Sequence, residues 1–90
     1  VKAALIVTDD ATEICKQIYN RMGRTVTIMD GEGMLSGKKK VLYCVITKYE
    51  VRELREVIDS VDHSAFVSIS DISEIIGNHV KSTGATLASA

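Results

Sequence analysis

Aromatic side chains are almost missing from this sequence: it holds three tyrosines, one phenylalanine and no tryptophan. So few rings, at Tyr19, Tyr43, Tyr49 and Phe66, argue against a platform on which nucleic-acid bases stack. An excess of positive charge is missing too. The formal net charge is −1, which offers no global basic field, and no nucleic-acid partner is expected. Cysteine is limited to Cys15 and Cys44, too far apart for a CxxC metal or redox site. Both fall inside predicted elements, which suits buried free thiols in a reducing compartment. No apolar run approaches the roughly 18–20 residues of a membrane-crossing helix, and nothing resembles a signal peptide. The chain begins at Val1 without an initiator methionine, as expected of a piece of a longer protein, so the missing span says little about the parent. Also lacking is any paired general acid and base, metal cluster or activated nucleophile. Catalysis, a metal and a cofactor are therefore not expected.

What is present is one globular domain. At 90 residues the chain can bury roughly two thirds of its unfolded surface. A hydrophobic share of 46% beside 26% charged residues excludes disorder. The most informative stretch is 25–47, two β-prone runs around GEGMLSGKKK, a ten-residue loop with three glycines and three lysines. Residues 41–46 are apolar without a break, which predicts a strand buried on both faces. Leu42, Cys44 and Ile46 point one way, and Val41, Tyr43 and Val45 the other. Residues 24–29 form a milder strand, with Val26 and Ile28 on one side and Thr25, Thr27 and Met29 on the other. The loop has two readings: a mobile flap whose amides and lysines address an anion, or a solvated tip whose glycines only turn the chain. Because a strand follows it, the loop is neither a P-loop nor a dinucleotide fingerprint.

In chain order, 2–8 is a second non-alternating apolar run and a candidate central strand. Asp10 to Glu13 has the spacing of a capping box opening a helix, which explains Asp9 and Asp10 more simply than metal ligation. That helix carries Ile14, Cys15, Ile18 and Met22 on one stripe and stops at Gly23. Thr47 to Glu50 repeats the capping pattern before a helix that buries Val51, Leu54, Val57, Ile58 and Val61. Its charged face, with Arg52–Glu56 and Arg55–Asp59 at i,i+4, is a solvated surface. His63 sits in a loop without a nucleophile patterned around it. Residues 65–70 alternate as an edge strand with a wetter face, and 70–76 suggest a short capped helical turn ended by Gly77. The stretch 78–90 is small and polar, a tail that is disordered or ordered by a neighbouring subunit.

The order strand, helix, strand, strand, helix, strand is the βαββαβ of a ferredoxin-like α+β fold. It predicts an antiparallel four-stranded sheet of order 4-1-3-2 over residues 1–77, with both helices on one face. The opposite face then exposes apolar side chains of the two central strands, and such a patch marks an interface. Sheet faces are expected to associate, in a homo-oligomer or against the rest of a longer chain.

Four segments carry a resemblance: LIVTDD at 5–10, VTIMDGEG at 26–33, SGKKKVL at 36–42 and DHSAFVSISDISEIIG at 62–77. Over about residues 2–77 the chain resembles the C-terminal domain of YitT-type bacterial membrane proteins, domain-of-unknown-function family 2179, which is PII-like. The resemblance implies a trimer with sheets facing inward, and ligands, often nucleotides, in clefts between subunits near the second-to-third strand loop. Carried onto this chain, it implicates Gly31, Gly33, Ser36, Gly37 and Lys38, with Gly77 from the C-terminal side; Lys40 joins them as the last lysine of the run. The expectation is a regulatory domain on the cytoplasmic side of the membrane, attached to the membrane portion of its parent and sensing a small anionic metabolite. The alternative is an oligomerisation module with no ligand.

Overall fold

The computed structural model describes residues 1–77, so the tail at 78–90 lies outside the described residues. Strand β1 (Lys2–Thr8) leads into helix α1 (Ala11–Met22). Strands β2 (Thr27–Gly33) and β3 (Gly37–Ile46) form a hairpin. A 3-10 turn (Lys48–Glu50) opens helix α2 (Val51–Val61), and β4 (Phe66–Asp71) completes the sheet. The strand order is β2-β3-β1-β4 and every pairing is antiparallel. This is the expected 4-1-3-2 order read from the other edge, with the two unbroken apolar runs at the centre.

The alternation of side chains along a strand sets the two faces. Ala4 and Ile6 of β1 and Leu42, Cys44 and Ile46 of β3 are wholly buried, packed with Ile14, Ile18 and Met22 of α1 and Leu54, Val57 and Ile58 of α2. Both helices therefore lie on one face. Burial on that scale stabilises by about 2 kcal/mol for each large side chain. The other face carries Ala3, Leu5 and Val7, their β3 partners Val45, Tyr43 and Val41, and Met29 and Phe66 on the outer strands. Leu5, Met29 and Phe66 are exposed, whereas Val45 is only 7% exposed, so the expected apolar patch does not include it.

The first helix start departs in detail from expectation, whereas the second keeps its capping box. The Asp10 side chain makes no cap hydrogen bond. Instead the Asp10 N–H donates to Thr8 Oγ1 at 3.0 Å, and the buried Thr8 hydroxyl donates to Asp62 Oδ2 at 2.7 Å. A hydroxyl both donates and accepts, so it satisfies two partners where a carboxylate could only accept. At the second start the Thr47 N–H does donate to the Glu50 carboxylate, at 2.8 Å. Glu50 is also held by Arg24, with Nη2 at 2.9 Å from Oε1 and Nε at 3.3 Å from Oε2. Both side chains are buried, and the strand expected over 24–29 starts later: β2 begins at Thr27. Helix α1 ends as expected at Gly23, whose N–H reaches the Tyr19 carbonyl in a left-handed turn.

Two further expectations are corrected. The predicted helical turn at 70–76 is absent because Ser70 and Asp71 stay in the β4 ladder opposite Ala3 and Lys2, and the Ile72 N–H bonds the Val1 carbonyl. The ten-residue loop shrinks to a turn at 34–36. Asp30, Gly31, Glu32 and Gly33 pair in register with Lys40, Lys39, Lys38 and Gly37. Backbone hydrogen bonding ignores the poor strand propensity of glycine and lysine once a neighbouring register is set.

Candidate functional site

The β1–β3 pairing stops at Thr8 opposite Lys40, while β3 begins three residues earlier at Gly37. The end of the β2–β3 hairpin thus overhangs the sheet as a two-stranded arm. A cleft of about 760 Å³ lies in the angle, walled by Thr8 and Asp9 on one side and by Asp30, Gly31, Glu32 and Lys38 to Lys40 on the arm. The arm closes at Gly37, whose φ of 78° is a left-handed value that a three-residue hairpin loop requires. At Gly31 a Cβ would stand 2.9 Å from a Val41 methyl carbon, so only glycine fits without a shift.

The electrostatics of the cleft are balanced. Lys39 Nζ donates to Asp9 Oδ2 at 2.9 Å, and Lys40 Nζ donates to Asp30 Oδ1 at 2.5 Å. Lys38 and Glu32 are register partners, yet neither makes an ion pair among the described residues. Asp9 and Asp30 are well exposed, so solvent screens these pairs and each is worth at most about 1 kcal/mol. Beside the cleft, hydrogen bonds from the Ser64 and Thr8 hydroxyls hold the Asp62 carboxyl below its ordinary range. Among the described residues no group of three or more His, Cys, Asp or Glu side chains could hold a metal ion.

Of the residues implicated from the sequence, Gly31, Lys38 and Lys40 line the cleft. Gly33 and Gly37 pair at the base of the turn and Ser36 lies within it, beyond the lining. Gly77 is not in the lining: β4 leaves the sheet beside Lys2, at the end of β1 opposite Thr8. Asp30, Glu32 and Thr8 also line the cleft without any expectation from the sequence, Lys39 enters only as one of the three loop lysines, and Asp9 only as a helix start. The signal for them is mirror spacing. Acids at 30 and 32 and lysines at 38 and 40 are symmetric about a turn at 34–36, which places opposite charges across a hairpin.

Residues 24–77 match the family described as "Uncharacterized protein conserved in bacteria (DUF2179)". The chain belongs to the DUF2179 family. Three relatives from Bacillus subtilis (strain 168) extend the match toward β1. UPF0750 membrane protein YxkD is 38% identical over 77 residues, covering 84% of this chain and 28% of the relative. UPF0750 membrane protein YpjC is 40% identical over 77 residues, covering 84% and 27%. For UPF0750 membrane protein YitT the figures are 36% over 75 residues, 82% and 27%. This DUF2179 chain therefore spans less than a third of those relatives, and the family resemblance read from the sequence holds. A crystal structure of a DUF2179 protein from Eubacterium ventriosum superposes with a TM-score of 0.63 at 19% identity, covering 78% of this chain and 99% of that one. A functionally unknown protein from Pediococcus pentosaceus ATCC 25745 gives 0.73 at 18% identity, covering 86% and 95%. At such identities the likeness shows the fold. No helix among the described residues is long and apolar enough to cross a membrane.

Proposed function

We propose that this chain is a regulatory domain that self-associates through the helix-free face of its sheet and senses a small anionic metabolite, nucleotides included, in the cleft beneath the β2–β3 arm. The observation that carries the reading is the arm itself. It carries Lys38 and Lys39 past the end of β1, with Lys40 level with that end, where a ligand can meet ammonium groups and the backbone at Gly31 together. Exposed Leu5, Met29 and Phe66 on the face that no helix covers support association, and the PII resemblance favours a trimer. Relatives named membrane proteins carry the matching region within longer chains, which supports attachment to a membrane portion of the parent. Two free cysteines, Cys15 and Cys44, suit the reducing cytoplasmic side.

Thermal shift against a panel of nucleotides and metabolites tests the sensor. A ligand at 100 times its dissociation constant adds about 2.7 kcal/mol of stability, and Lys38→Ala with Lys40→Ala should erase the gain. One observation favours a second reading, an assembly module with no ligand. Lys39 and Lys40 already have carboxylate partners in Asp9 and Asp30. Silence across the panel from an intact oligomer would select that module.

A further inference from the structure

We propose that the cleft selects a zwitterion, a small molecule carrying an ammonium group together with a phosphate or carboxylate. This rests on the reading of the cleft as the ligand site and narrows what the ligand must be. The walls carry three carboxylates, Asp9, Asp30 and Glu32, against three ammonium groups, Lys38, Lys39 and Lys40. Of the three pairs that can form at once, two are closed, Lys39–Asp9 and Lys40–Asp30. The third is open. Glu32 and Lys38 stand opposite each other in register, one strand apart, and form no ion pair.

That arrangement penalises a ligand of one sign. A bare anion can take Lys38, but it then lies beside the Glu32 carboxylate. To gain a second lysine it must draw Lys40 from Asp30 and leave that carboxylate facing it. A bare cation meets the same difficulty with the signs exchanged. A zwitterion avoids both, since its anionic group takes Lys38 while its ammonium takes Glu32, and the two closed pairs stay closed. Like-charge juxtaposition is how a binding site rejects the wrong partner, so the balanced walls act as a selectivity device.

The test uses matched probes on the isotope-labelled chain, read by amide chemical shifts. O-phosphoethanolamine is compared with ethyl phosphate and ethanolamine, and β-alanine with propionate and ethylamine. At least one zwitterion is expected to bind about tenfold or more tightly than either of its single-charge analogues, with shifts at Gly31, Glu32 and Lys38. Glu32→Gln should remove that preference by weakening zwitterion binding while ethyl phosphate binds as well as before or better. If ethyl phosphate or propionate matches its zwitterion in the unsubstituted chain, the selectivity is refuted while an anion sensor survives. If no probe perturbs the cleft, the zwitterion proposal fails, and silence of the nucleotide panel as well would remove the sensor with it.

Discussion

A single residue pair shows how little slack the core has. Arg24 and Glu50 are 5% and 8% exposed and form a two-pronged ion pair, and the same carboxylate receives the Thr47 N–H. Removing one partner strands the other charge away from water. Glu50→Ala should destabilise the fold by about 3 kcal/mol in urea unfolding. Replacing both residues by Met should recover part of the loss but not all, because the Thr47 N–H still lacks its acceptor, worth about 1 kcal/mol. Equal stability of the single and double variants would remove the charge-burial explanation. Burial acts on a thiol in the same way. It raises Cys44 from an ordinary 9.0 to about 11, outweighing the neighbouring Arg24 charge. A group whose folded value is raised stabilises fully below its unfolded value and loses that contribution as the pH climbs toward the folded one. Between pH 9 and 11 the chain should therefore lose stability more steeply than its Cys44→Ala variant does. Iodoacetamide at pH 8 should leave Cys44 unmodified until denaturant is added.

Among the elements, legibility followed burial. β1 and β3 could be read as central because unbroken apolar runs have no other use in an α+β domain, and each helix stripe matched the side chains it buries. The arm could not be read in the same way. Its residues face solvent, so no apolar period marks the strands, and glycine and lysine look like loop. The mirrored charges at 30, 32, 38 and 40 are the arm's own trace of the register that the neighbouring pairs Ile28–Leu42 and Met29–Val41 set, and they mark the cleft too. Thr8 was hidden for a different reason: a threonine ending a strand gives no hint that its hydroxyl ties the α1 start to the α2–β4 loop. Thr8→Val keeps the shape and removes both bonds. It should destabilise by about 1–2 kcal/mol. It should also change the acid limb. The hydrogen bonds that lower the Asp62 carboxyl stabilise the fold above its ordinary value and are lost as the pH falls below it. The variant should show a shallower loss of stability on acidification, measured by unfolding midpoints from pH 6 downward. An unchanged acid slope would mean that the Ser64 contacts and the Asp9 N–H set the Asp62 carboxyl without Thr8.

For the whole molecule the decisive asymmetry is between the two sheet faces. Two helices of 12 and 11 residues cover one face, and the other has nothing in the described chain to lie against it. Its middle is half shielded by the sheet's own side chains, as Val45 shows, but Leu5 at the centre of β1 remains 37% exposed and Phe66 at the β4 edge 64%. Covering such side chains removes apolar area from water at about 25 cal/mol per Å², so a partner surface of the same kind is stabilised by contact and a polar one is not. Self-association predicts a stability that depends on concentration, since only the folded chain assembles. The thermal midpoint should rise as the chain is concentrated from micromolar to hundreds of micromolar. Leu5→Lys should abolish that rise and reduce the mass seen by light scattering to one chain. The same substitution should leave the monomer folded, because Leu5 lies outside the core cluster that joins the helices to the sheet. A midpoint that ignores concentration, with a single-chain mass at every dilution, would overturn self-association through this face.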